Sequence, residues 1–94
     1  MLQLLPQIET LIPTSSDPVG AIEQINAYIE KYHCETLSID ISHMNTLDAC
    51  QVSTLCSTTH FLKYPNGKID WIVSSSLVRE FNQSLELGNA EYIL

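Results

Sequence analysis

Residues 37–55 read LSIDISHMNTLDACQVSTL, and the fold turns on how this stretch divides. Leu37, Ile39 and Ile41 alternate with Ser38 and Asp40, which places three apolar side chains on one face of a strand. A polar loop around His43, Asn45 and Thr46 interrupts the alternation. Asp48, with Gln51 three residues later, then has the form of a capping box, so a helix is expected to open there. Val52, Leu55, Cys56, Thr59 and Leu62 recur at helical spacing and form its expected core face. Tyr64-Pro65-Asn66-Gly67 is its stop signal. A strand that feeds a helix through a short loop is half of a βαβ unit.

The same alternation of elements continues on both sides. KIDWIV (68–73) is a β-rich run of strand length. The serines at 74–76 then offer caps for another helix, with Val78, Phe81 and Leu85, and Leu77 beside them, on its core face. Gly88 is placed to end that helix, and AEYIL (90–94) reads as a last strand. Upstream, PTSSDPVG (13–20) is a loop in which Ser16 or Asp17 can cap and Pro18 suits a first helical turn. Ile22, Ile25, Ile29 and Tyr32 line one side of the helix that follows, over about 17–32. Residues 1–13 read as irregular or as one or two short strands, because Pro6 cannot sit in a central ladder.

The order β(β)-α-β-α-β-α-β with short connections implies parallel strands joined by right-handed crossovers. The expected fold is a single α/β domain over residues 1–94. It has a mostly parallel, four- to five-stranded sheet with three to four helices packed against it.

Composition bounds the function. The chain has 94 residues, 45% of them hydrophobic and 16% charged, which is globular rather than disordered. Its net charge is −7, and the four basic residues, Lys31, Lys63, Lys68 and Arg79, form no cluster. Nucleic-acid binding needs clustered Lys and Arg, so that class is set aside. An anionic membrane surface would repel the chain, whereas a basic protein partner would suit it. No apolar run reaches membrane-spanning length and no signal-peptide pattern is visible, so no membrane insertion and a cytoplasmic location are expected.

The chemistry-bearing residues are scattered. Cys34, Cys50 and Cys56 are odd in number and lack C-x-x-C spacing, which argues against a disulfide framework and a zinc site. His33, His43 and His60 fall in three different elements and read as surface or loop histidines; no metal is expected. Gly20, Gly67 and Gly88 are too far apart for a phosphate-binding loop, so no nucleotide cofactor is expected. Asp40, Asp48 and Asp70 could meet as paired carboxylates, but capping and polar strand positions account for them. Cys50, placed in a first helical turn with His43 just upstream, is the one nucleophile of interest. The helix dipole there would favour its thiolate, as in a thiol-dependent enzyme or redox sensor.

The strand ending in Asp40-Ile41-Ser42, the loop, and the Leu47-Asp48-Ala49-Cys50 helix opening together resemble the STAS domain. This is the module of sulfate-transporter tails and bacterial anti-sigma-factor antagonists. GKIDWIV is similar to its following strand, SSSLVREFNQSLELGN to its last long helix, AEYIL to its short final strand and DPVGAIEQINAYI to its first helix. The resemblance covers about residues 14–94 and rests on pattern and element order.

In the antagonist branch, the first serine of an Asp-Ser-Ser-Gly type motif is phosphorylated by a partner kinase. Asp48 matches the aspartate, Ala49 that serine, Cys50 the second small residue and Gln51 the glycine. Ala49 has no hydroxyl, so the usual phosphoserine switch is absent. The resemblance therefore implies a non-enzymatic, regulatory protein-interaction module without that control point. Its partner would be an anti-sigma or kinase-like regulator or a transporter subunit. The partner surface is expected at Ser42, His43, Asn45, Thr46, Asp48, Ala49, Cys50, Gln51, Ser53 and Thr54. Two other classes stay open. One is a STAS-like accessory subunit of a transporter complex, or a small-molecule or lipid-binding module with an apolar groove beside Trp71. The other is the thiol-dependent enzyme or redox sensor at Cys50.

Overall fold

The computed structural model describes residues 10–84 and 88–94. Four parallel strands form one sheet in the order β1-β2-β3-β4: Thr10–Leu11, Thr36–Asp40, Lys68–Ile72 and Ala90–Ile93. Three helices connect them, α1 over Pro18–Tyr32, α2 over Thr46–Lys63 and α3 over Ser76–Ser84. This is the expected α/β fold. Of the N-terminal expectation, β1 is present; Pro6 and the rest of 1–9 lie outside the described residues, as does Leu85.

Each crossover steps to the next strand in the same direction, and right-handed crossovers of that kind put all the helices on one face. The core agrees with this. Leu11, Ile39, Trp71 and Tyr92 are register partners, as are Leu37, Ile69 and Ala90, and both rows belong to one cluster with the helices. Ala21, Ile25 and Ile29 enter it from α1, Ala49, Val52 and Cys56 from α2, and Val78 from α3. Each fully buried Ile or Val contributes about 1.5–3 kcal/mol of transfer free energy. The opposite face carries Ser38, Asp70 and Glu91 in one row and Asp40, Ile72 and Ile93 in another. No helix packs on that face among the described residues. Lys68 bonds Glu91 there at 2.8 Å, which raises the lysine pKa.

Local chemistry sets the helix ends. Asp17 caps α1, accepting from the Gly20 amide at 3.0 Å, and Pro18 follows in the first turn as anticipated. His33 closes the helix in the left-handed region at φ 53°. The helix α2 opens three residues earlier than its sequence pattern indicates. Asn45, not Asp48, is the cap: its side chain accepts from the Asp48 amide at 2.9 Å. Asp48 then sits in the first turn, where a negative charge complements the helix dipole. Gly67 follows α2 in a tight approach, since a Cβ there would lie 2.4 Å from the Glu35 carbonyl oxygen and 2.7 Å from His60 Cε1. Gly88 lies in the turn before β4, and the chain between it and Ser84, where its expected role as a helix stop falls, lies outside the described residues.

The largest correction concerns which side of α2 faces the sheet. Of the predicted face only Val52 and Cys56 are buried; Leu55, Thr59 and Leu62 are exposed. The buried side is Ala49, Val52, Ser53, Cys56, Ser57 and His60. Its polar members find partners that α2 periodicity cannot reveal. Ser57 Oγ accepts from Trp71 Nε1 at 2.9 Å, and the Ser57 carbonyl accepts from Asn89 Nδ2 at 2.9 Å. Ser53 Oγ donates to the Ala49 carbonyl at 2.7 Å. His60, expected at the surface, is only 2% exposed, with Nε2 2.9 Å from the Cys34 carbonyl. Tyr32 and Phe81, also expected in the core, are exposed, and Leu77 is too.

Candidate functional site

Because α2 turns a partly polar side inward, it turns an apolar side outward. Leu47 is 82% exposed and Leu62 77%, with Leu55 and Phe61 between them along the helix. At the N-terminal half of α2 this outer side meets α3 across an open groove of about 540 Å³. Exposed Leu47, Leu55 and Phe81 line it together with half-buried Cys50 and Thr54. Among the described residues Asp48 is its one charged residue, and Gln51 adds an amide. The groove lies toward the edge of the domain where α2 begins and β2 ends.

The residues anticipated from sequence divide into three sets. Asp48, Cys50, Gln51 and Thr54 line the groove. Ser42, His43, Asn45 and Thr46 form the adjoining turn and helix start. There the Ser42 amide and hydroxyl both donate to Asp40 Oδ1, at 2.9 and 2.7 Å. These two bonds, the hydroxyl's first, hold the Asp40 carboxyl below its ordinary pKa. Ala49 and Ser53, expected at the surface, are not there. Ala49 is 2% exposed and Ser53 is fully enclosed, because both lie on the sheet side of α2. Sequence reasoning missed the apolar walls: Leu55 and Phe81 were assigned to the core, and Leu47 was not singled out. The available signal was the excess of apolar residues on α2, more than one stripe can bury.

Cys50 does not have the environment of an activated thiol. With α2 starting at Thr46, it lies in the second turn rather than the first, and burial pushes its pKa up. Cys56, deeper still, is pushed up to about 12 by burial. Tyr92, beneath α2, is likewise raised to about 12 by burial, with the nearby Ser53 hydroxyl offsetting a part. Trp71 lies wholly inside the core, so the groove anticipated beside it is not where the apolar groove forms. A second, smaller recess of about 210 Å³ separates α1 from α2 and is bordered by His60, Glu30 and Lys63. The Lys63–Glu30 pair joins these two helices at 3.3 Å. Among the described residues, no three His, Cys, Asp or Glu side chains are grouped to hold a metal ion, and no helix is long and apolar enough to cross a membrane.

The fold and this groove define a small parallel α/β domain with an apolar, acid-edged crevice on its helical layer. The chain matches no protein-family model, no curated protein and no solved structure.

Proposed function

We propose that the protein is a non-enzymatic interaction module, similar in plan to the STAS domains of anti-sigma-factor antagonists, and that it engages a protein partner through the α2–α3 groove and the adjoining 42–46 turn. One observation carries this reading. The central helix of the layer packs a half-polar side on the sheet and leaves Leu47, Leu55, Phe61 and Leu62 exposed on another among the described residues. A row of large apolar side chains left in water is the composition of a surface that another molecule covers.

The reading includes the absence of a phosphoserine switch. Ala49 has no hydroxyl, and its side chain points into the core. Ala49→Ser would place the new hydroxyl where a kinase cannot reach it. The thiol-enzyme alternative is disfavoured by the raised Cys50 pKa, since the thiolate is the nucleophile.

The test is site-specific photo-crosslinking in the native cell. A benzoyl-phenylalanine side chain is placed at Leu47, at Phe81 and, as a control, at Thr36 on the far strand edge. Discrete protein adducts from positions 47 and 81 but not from 36 are expected. Equal labelling from all three positions, or none from the groove, would overturn the proposal.

A further inference from the structure

We propose that the groove receives a single amphipathic helix of the partner, with an apolar stripe flanked by Lys or Arg. This rests on the interaction-module reading and specifies the chemistry of its partner. The shape argument comes first. The groove runs between two helices, and its apolar groups are spaced along α2 rather than gathered into a closed pocket. Leu47 and Leu55 stand eight residues apart on the α2 wall, about two turns or roughly 12 Å, and exposed Leu62 continues the row beyond the groove. A helix laid along α2 meets such a row with anchors at the i, i+3, i+4 and i+7 positions of helix-in-groove recognition.

The charge argument selects the flanks. In parallel βαβ geometry the helix N-termini and strand C-termini share one edge of the domain. Asp17, Asp40 and Asp48 lie at that edge, and Asp48 borders the groove itself. The three lysines lie toward the other edge. Lys31 and Lys63 are at the C-terminal ends of α1 and α2, and Lys68 starts β3. Arg79, in α3, is the one basic residue nearer the groove, and it does not line it.

A second copy of the chain is a poor occupant. It brings a net charge of −7 to a surface of −7, and Lys63 and Lys68 are already paired with Glu30 and Glu91. A bilayer rich in anionic lipid is repelled for the same reason. A basic-flanked helix gains at each of these points.

The experiment is selection of a displayed library of helical peptides on the intact protein. Apolar and charged positions are both randomised, and the library is counter-selected on the Leu47→Ser/Phe81→Ser double variant. Leu47 is largely exposed and Phe81 about half exposed, so the variant keeps the fold, and a cooperative thermal transition above the assay temperature verifies that. Enriched peptides should carry a spaced apolar stripe and net positive flanks. The best of them, labelled and followed by fluorescence anisotropy, should bind about tenfold more weakly to the double variant. A similar loss is expected when its flanking Lys and Arg are changed to Glu, and added salt should weaken binding.

Enrichment of acidic, uncharged or non-helical peptides overturns the inference, as does no enrichment over the double variant. Sedimentation showing a micromolar dimer that Leu47→Ser dissolves also overturns it, in favour of self-association. The interaction-module reading is judged separately: groove-specific crosslinks to a partner segment that is not a basic helix would leave that reading standing while this inference falls.

Discussion

A serine on α2 should matter more to stability than a leucine on the same helix. Ser57→Ala removes the acceptor for Trp71 Nε1, a 2.9 Å bond between two fully enclosed side chains. The indole N–H is then left without a partner in the core, at a cost of about 1–3 kcal/mol. Alanine's better helix propensity returns about 0.5 kcal/mol. The net loss is about 0.5–2.5 kcal/mol, or roughly 2–20 °C in melting temperature for a domain of this size. Leu62→Ala provides the contrast. With 77% of the residue already in water, little burial is lost, and the change should fall within about 0.5 kcal/mol of the parent.

Urea denaturation followed by circular dichroism measures both variants, and the single tryptophan, Trp71, gives a second probe at the bond itself. A Trp71→Phe background should shrink the Ser57→Ala penalty, because the orphaned donor is gone. If Leu62→Ala costs 2 kcal/mol or more while Ser57→Ala costs nothing, α2 faces the sheet with the side that simple periodicity picks, and the groove described above does not exist.

Gly67→Ala should destabilise by more than about 2 kcal/mol, because its Cβ meets the Glu35 carbonyl and the buried His60 ring; a melting temperature within 3 °C of the parent would, by the usual scaling, contradict that contact. Asn45→Ala should cost about 0.5–2 kcal/mol by loss of the cap, and Asp48→Ala less; chemical denaturation of the two side by side decides which residue opens the helix. Stability should fall at alkaline pH. The folded Cys56 pKa of about 12 exceeds its ordinary 9, so its contribution is intact below pH 9 and is lost as pH rises toward 12, at about 1.4 kcal/mol per pH unit. Tyr92 adds a smaller share above pH 10. A flat profile of urea midpoints from pH 8.5 to about 10.5, or a slope unchanged by Cys56→Ala, would refute this. In the folded state Cys50 should react with a thiol reagent more slowly than a free thiol at pH 7, and Cys56 more slowly again.

The strands were legible because period-two alternation needs no long-range information. Leu37, Ile39 and Ile41 announce their face, and the parallel order follows from the spacing of helices between strands. Asp17 and Pro18 announced the start of α1 for a similarly local reason. The α2 face was not legible. Ser53, Ser57 and His60 can lie inside only because Trp71, Asn89 and the Cys34 carbonyl, 14 to 32 residues away, or a carbonyl of α2 itself, meet their polar atoms. A periodicity that scores serine as outward then turns the helix by about a quarter of a turn, and hides Leu55 and Leu62 in the core. The groove was half legible. Asp48, Cys50, Gln51 and Thr54 came from the helix opening, whereas Phe81 comes from α3 and could enter only with the tertiary packing.

The strictly sequential strand order has a kinetic and energetic side. Each βα unit packs on the one before and the one after it, so cohesion passes between nearest neighbours, as in a short repeat array. Such a stack loosens from its ends. The amides of Ile39, Ile69 and Trp71, in the two central strands, should exchange with solvent only on global unfolding, while Leu11 and Ile93 open first. A partner seated on α2 would grip the middle unit, the one whose stability the whole domain shares.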